Sequence, residues 1–246
     1  LGTRIARLLR TRQLGHPLHF HPTLGSTNDE ALRLAREGAP AGTTVLADRQ
    51  TAGRGRRGRA WESPAGVNLY LSTILRPALP PARAPELAPA VAVAAAEALR
   101  EAGALAGIKW PNDLEIGGRK VAGILTELSA TADRVAFVVI GIGINVNLDP
   151  AILPAPLRPI ATSVATAVGR EVDRAALAAA LLGRLEAWLD RHGAEGFAPV
   201  RAAYRALSST LGRRVQVIEG ERSIEGIAAD VDEAGALLLR RDDGAL

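Results

Sequence analysis

Four arginines and three glycines fill seven of the eight positions from Gly53 to Ala60, inside the stretch AGRGRRGRAW. Guanidiniums offer planar, bidentate donors to carboxylates and phosphates. Glycines let backbone N–H groups approach an anion closely. Together they read as an anion clamp. GRGRRG also satisfies the G-x-G-x-x-G spacing of dinucleotide sites, but WESPAG and a strand follow where that motif needs a helix. The plain alternative is a solvated basic loop. Such a glycine-rich, charged segment is expected to be disordered when empty, and its ordering on an anion would bring Trp61 against something flat and apolar.

Arginine makes up 28 of the 30 basic residues, so the two exceptions, Lys109 and Lys120, draw attention. They lie in IKWPNDLEIGGRKVAGI, eleven residues apart. An ammonium is a compact point donor where a guanidinium is a fork, and the pair suggests sites that the fork does not fit. Ser26, Thr27 and Asn28 precede a helical pattern. They are either ordinary caps or hydroxyls and an amide that bind a neutral polar head group. Asn112 and Asp113 could be turn residues alone. Gly141 and Gly143 stand inside a strand, where glycine marks close approach of a ligand or another backbone. His16, His19, His21 and His192 show no metal-ligand spacing with acids, and no Ser–His–Asp pattern or G-x-S-x-G motif stands out.

The 246 residues, 48% hydrophobic, suffice for one large domain with a small satellite. With no cysteine there is no disulfide framework, thiolate metal site or thiol nucleophile. No apolar run approaches the ~18 residues that span a bilayer, and nothing resembles a signal peptide; the chain reads as soluble and cytoplasmic. The net charge of +4 is uneven, with residues 1–60 carrying +7 and the remainder −3. A surplus held largely in one loop suits a small polyanion better than a nucleic acid.

The elements that must position these residues follow from periodicity. Ile5, Leu8 and Leu9 mark a short amphipathic helix, and LHFHP a strand. STNDEALRLAREG is a helix closed by Gly38. GTTVLAD leads a strand into the arginine loop and VNLYLSTIL leads one out. PELAPAVAVAAAEALREAG is a long, largely buried helix. GIKWPNDLEI, KVAGILTELS and RVAFVVIGIGINVNL form a meander. Prolines keep ILPAPLRPIATS out of interior ladders, and two helices follow, one over 173–192 and one including FAPVRAAYRALSS. From about Leu211 short strands with EGER and DEAG turns suggest a small SH3-like barrel, with a closing strand beyond Leu246. Strands and helices without a βαβ rhythm predict an α+β fold built on a mainly antiparallel sheet. The division falls at residues 1–208 and 209–246.

STN (26–28), DRQTAGRGRRGRAW (48–61), GVNLYLS (66–72), KWPNDL (109–114), KVAGILTE (120–127) and GIGINVN (141–147), in this order and followed by a small β-domain, resemble the biotin protein ligases. The resemblance runs from about Pro22 to Gly244 and looks like the short, monofunctional class, since only about twenty residues precede the catalytic region, too few for a helix-turn-helix repressor domain. It implies a central mixed, mainly antiparallel sheet with helices on one face, related to class II aminoacyl-tRNA synthetases, and a C-terminal SH3-like domain. It implies biotin and ATP as substrates with Mg²⁺, biotinyl-5′-adenylate as intermediate, and transfer of biotin to one lysine of a biotin carboxyl carrier protein, such as an acetyl-CoA carboxylase subunit. Neither nucleic acid nor membrane is implied as a partner, and monomer and homodimer are both compatible.

By the same resemblance, Ser26, Thr27 and Asn28 line the biotin site with Gln50 beside them. Gly53, Arg54, Gly55 and Arg56 belong to the biotin- and adenylate-binding loop, and Gly123 allows close approach of the biotin chain. Lys120 reaches the biotin carboxylate and the α-phosphate, with Arg56 as its catalytic companion. Arg54, Arg56, Arg57, Arg59, Trp61, Asn112, Lys120 and Asn145 resemble the nucleotide-contacting set. LDPAILPAPLRPIATS, where the family has its adenosine-covering loop, is proline-rich here. The nearest alternative is a lipoate- or octanoate-handling ligase of related fold; it needs a longer apolar tunnel, and GRGRRGR speaks against it. A biotin-responsive regulator that binds nucleic acid and a plain binding module are further alternatives, disfavoured by the charge balance and by the convergence of polar loops.

Overall fold

The computed structural model describes residues 1–220 and 222–241. Seven strands form the main sheet: β1 (Leu18–Leu24), β2 (Thr44–Gln50), β3 (Leu69–Leu75), β4 (Gly107–Lys109), β5 (Asp113–Ile116), β6 (Arg119–Ala130) and β7 (Val135–Ile144). Their order is β1-β2-β3-β7-β6-β5-β4. Only β1 and β2 run parallel; every other neighbour is antiparallel, so the sheet is mixed and mainly antiparallel as expected. β3, an interior strand between β2 and β7, is buried at every residue, which explains the unbroken apolar and hydroxyl run LYLSTIL.

Among the described residues six α-helices flank it: α1 (Gly2–Leu8), α2 (Thr27–Arg36), α3 (Leu87–Glu101), α4 (Val164–Val168), α5 (Arg174–Glu195) and α6 (Ala198–Leu207). The alanines and valines of α3 are enclosed because α5 and α6 cover the side that the sheet leaves free. Leu46, Leu71 and Ile142 join that large core. The strand residues between them, Val45, Ile74 and Val139, pack instead with Ala31 and Ala35 of α2. The sheet thus separates α2 from the other helices, where all were expected on one face. The alternation of side chains along each strand produces the two cores. Five-residue α4, capped by the Ser163 hydroxyl, was not anticipated.

The C-terminal strands β8 (Arg214–Glu219), β9 (Arg222–Val231) and β10 (Leu237–Arg240) make a three-stranded antiparallel sheet, order β10-β9-β8. Among the described residues this sheet is open, not a closed barrel; the expected closing segment lies outside them. It is tied to the main body. Trp110 Nε1 donates to the Gly235 carbonyl at 3.2 Å and Arg201 Nε to the Val231 carbonyl at 2.7 Å.

Candidate active site

The pocket opens on the α2 face of the sheet, and its floor is made by missing side chains. Tyr70 pairs with Gly143, which pairs with Gly123; Ser72 pairs with Gly141, which pairs with Leu125. Paired residues point to the same face, so three glycines clear one patch. The space is already claimed. A Cβ on Gly143 would lie 2.6 Å from the Trp61 indole, one on Gly123 would lie 3.0 Å from it and 3.3 Å from Lys120 Nζ, and one on Gly141 would collide with the Asn28 amide. Glycine at these positions lets an aromatic ring, an ammonium and an amide lie directly on the strands.

At one end sits a neutral polar cluster. Ser26 occupies the N-cap of α2, yet its side chain makes no capping bond. Ser26, Thr27 and Asn28 are all buried. The Thr27 N–H and hydroxyl both donate to Gln50 Oε1, at 2.8 and 3.1 Å. Ser72 Oγ lies 2.8 Å from Thr27 Oγ1 and 2.5 Å from Asn28 Oδ1, while Asn28 Nδ2 donates to Glu127 Oε2 at 2.7 Å. The STN segment thus sits at the cap position without a side-chain capping bond, and Thr27 and Asn28 direct their polar groups to Gln50, Ser72 and Glu127.

Cations line the opposite side. The arginine segment takes a closed hairpin, with an Arg54–Ala60 bridge, Gly55 N–H donating to the Arg59 carbonyl at 2.7 Å and Trp61 N–H to the Gly53 carbonyl at 2.9 Å. Internal oxygens partner its charges. Arg54 meets Asp29 at 2.6 Å and Glu127 at 2.8 Å. Arg56 Nη1 donates to Asn112 Oδ1 at 3.0 Å. Lys120 Nζ lies 2.8 Å from Asp113 and 5.1 Å from the centroid of the Trp61 ring, a cation–π distance. With Trp61 in this pose the pocket keeps only about 50 Å³ of open space, well below the roughly 300 Å³ of a small-molecule site. Trp61 in this pose covers the Gly123–Gly143 part of the floor.

Comparison with known proteins adds an independent line. Residues 22–145, half of the chain, match the biotin/lipoate A/B protein ligase family, and residues 210–246 match the biotin protein ligase C terminal domain. The chain belongs to this family. It is 40% identical over 237 residues to the bifunctional ligase/repressor BirA of Bacillus subtilis, covering 96% of this chain and 73% of that protein. The biotin–[acetyl-CoA-carboxylase] ligase of Paracoccus denitrificans is 39% identical, covering 89% of this chain and 92% of that one. The solved biotin protein ligase of Aquifex aeolicus in complex with biotin and ATP superposes with a TM-score of 0.81 at 30% identity, covering 95% of this chain and 94% of that one.

Most of the expected family residues converge. Ser26, Thr27, Asn28 and Gln50 line the pocket with Arg54, Gly55 and Arg56, and with Trp61, Asn112, Lys120 and Gly123. Others do not. Gly53 packs behind, against Trp61, Ser63 and Gln50. Arg57 reaches away, its Nη1 donating to the Ile218 carbonyl of β8 at 3.2 Å, and Arg59 is exposed on the hairpin. Asn145 is buried beneath the site, its Nδ2 bonded to the Thr162 carbonyl at 3.0 Å. Lys109 is exposed at the end of β4. Sequence reasoning overlooked Tyr70 and Ser72, although the two-residue period of β3 puts both on the glycine face. It overlooked Glu127 and Asp113 as partners of Arg54 and Lys120. Burial pushes the Tyr70 hydroxyl's pKa above its ordinary value, and that hydroxyl donates to the Pro64 carbonyl at 2.9 Å.

Proposed function

We propose that this chain uses ATP to turn biotin into biotinyl-5′-AMP and then passes the biotinyl group to one lysine of a biotin-accepting carboxylase subunit. One observation carries the reading: a buried neutral polar cluster, a glycine floor and three substrate-facing cations meet in a single pocket. The first suits a ureido ring, the second an alkyl chain lying on the strands, the third a carboxylate and an α-phosphate. Lipoate or octanoate offers no polar head group to the Ser26–Thr27–Asn28–Gln50 cluster, and is not favoured.

In the first step a biotin carboxylate oxygen attacks the α-phosphorus, and the bond to the pyrophosphate oxygen breaks. Two anions must be brought together, so Lys120 and Arg56 lower the barrier by neutralising both. They would do this by exchanging Asp113 and Asn112 for ligand oxygens, so neither cation is unpaired before or after. Arg54 supplies further charge to the nucleotide, Asn112 a polar contact, and Trp61 a stacking surface as the hairpin closes; Arg57 and Arg59 would add their charge by swinging in from the outside of the hairpin, Arg57 leaving the Ile218 carbonyl, and Asn145 would act from behind the pocket through the Thr162 segment. Magnesium enters on the nucleotide as Mg·ATP. Among the described residues no three His, Asp or Glu side chains form a metal-holding group, and magnesium commonly keeps phosphate oxygens and waters as ligands. In the second step the lysine amine attacks the acyl carbon, AMP leaves as the C–O bond breaks, and the amine loses a proton. The closed hairpin keeps water from the mixed anhydride.

The same proposal extends to an SH3-like C-terminal domain from about residue 209, a sheet akin to the class II synthetases and a cytoplasmic location, with monomer and homodimer both compatible. No helix among the described residues is long and apolar enough to cross a membrane. The deciding experiment incubates the chain with biotin, Mg·ATP and a carrier domain and follows the carrier by mass spectrometry. Biotin added to one lysine supports the reading; an unmodified carrier, or equal transfer of lipoate, overturns it.

A further inference from the structure

A run of hydrogen bonds links the neutral cluster to the hinge of the arginine hairpin through Ser63. Thr27 Oγ1 donates to Gln50 Oε1 (3.1 Å), Gln50 Nε2 to Ser63 Oγ (3.0 Å) and Ser63 Oγ to the Trp61 carbonyl (2.9 Å). The direction of the run is fixed at both ends. The Thr27 backbone N–H also points at Gln50 Oε1, so that atom must be the carbonyl oxygen and Nε2 must face Ser63. The Trp61 carbonyl can only accept, so Ser63 gives it its one proton. Ser63 is buried and Gly53 packs onto it: a Cβ there would lie 2.7 Å from Ser63 Oγ and 2.5 Å from the Trp61 carbonyl oxygen. The hairpin therefore begins and ends against this hydroxyl.

We infer that Ser63 is a positioning residue, whose hydroxyl couples occupancy of the Thr27–Gln50 head-group end to the pose of Trp61 and the arginine hairpin. The inference rests on the reading of this pocket as the biotin and adenylate site. An entering ureido group competes for Thr27 and Gln50. Any turn of the Gln50 amide removes the donor that Ser63 accepts, and so alters the bond that holds the Trp61 carbonyl. Trp61 lies over Gly123 and Gly143, so a shift at its backbone changes how much of the floor is covered.

The test compares the wild-type chain with Ser63→Ala and Ser63→Thr. Biotin affinity is measured by calorimetry, tryptic cleavage at the hairpin arginines is followed with and without biotin, and hydrolysis of biotinyl-5′-AMP is followed without a carrier. Ser63→Ala is expected to bind biotin within threefold of wild type, yet to lose biotin's protection of the hairpin and to leak adenylate at least tenfold faster. Ser63→Thr, which keeps the hydroxyl, is expected to restore both. Wild-type protection and leakage in Ser63→Ala overturn the coupling alone. Loss of biotin binding together with unfolding in Ser63→Ala, unrescued by Ser63→Thr, also overturns it, because the residue is then merely structural. A wild-type chain that forms no adenylate takes down the functional reading and this inference with it.

Discussion

Lys120 ends between Asp113 and the Trp61 ring, with the bare backbone of Gly123 beneath it. A point ammonium fits that gap; a planar guanidinium needs room for its fork. Lys120→Arg should keep the charge and still lose about a hundredfold in biotin-dependent ATP–pyrophosphate exchange, the scale of one lost transition-state donor. Near-normal exchange would remove Lys120 from the chemistry. Gly143 permits a complementary test. Alanine is tolerated in strands, but a Cβ there sits 2.6 Å from Trp61 and occupies the floor. Gly143→Ala should fold with an unchanged far-ultraviolet spectrum and bind biotin at least about tenfold more weakly, as overpacking of a fitted site costs about 1–3 kcal/mol. Unchanged affinity by calorimetry would sink the floor argument.

At the scale of elements, the sequence makes the pocket's walls more readable than its internal pairing. STN before a helix, the arginine run between two strands and the glycines of GIGIN each announce a place in the fold, because cap, turn and strand periodicity are local. What periodicity cannot announce is which element faces which. The one-sided helical layer failed because nothing local in α2 says that Val45, Ile74 and Val139 will form a second core with it. Glu127 and Asp113 went unread because their partners, Arg54 and Lys120, are fixed by strand register and by the hairpin. Arg57 is a similar case. It has a positive φ of 57° in the hairpin turn and reaches the β8 carbonyl of Ile218, joining the hairpin to the C-terminal sheet. Glycine accepts that backbone conformation more easily, so Arg57→Gly should leave thermal stability unchanged or slightly raised. It should also raise the KM for ATP about three- to tenfold, the cost of one charge-assisted contact, while biotin affinity stays put. A parallel loss of biotin affinity would show that Arg57 acts on the whole pocket rather than on the nucleotide end.

The whole molecule is held together on the side of the sheet away from the pocket by two carboxylates on its helical layer. Glu186 of α5 accepts the backbone N–H groups of Arg12, Gln13 and Leu14, at 2.7 to 3.0 Å, fastening the N-terminal segment. Burial alone would raise its pKa, but these three bonds outweigh it and hold the carboxyl below its ordinary value. Glu86, at the start of α3, is buried against His192 of α5 at 2.7 Å and paired with Arg83 at 2.8 Å; desolvation is again outweighed, by the bonds from Arg83 and His192. A carboxyl depressed in the folded state contributes stability that is complete above the unfolded value, near pH 4.3 for glutamate, and is lost as pH falls through the folded value. The melting temperature should therefore be flat through neutrality and fall steeply below about pH 4. Glu186→Gln removes an ionised acceptor from three donors and should cost about 2 kcal/mol at pH 7, with a shallower decline in acid than wild type. Because neither carboxylate lies in the pocket, adenylate formation by this variant at pH 7, below its melting temperature, should match wild type. An acid slope identical to wild type would mean that the carboxylate is not what fastens the N-terminal segment, and that the apolar contacts of Ile5, Leu9 and Leu14 with the main core hold it unaided.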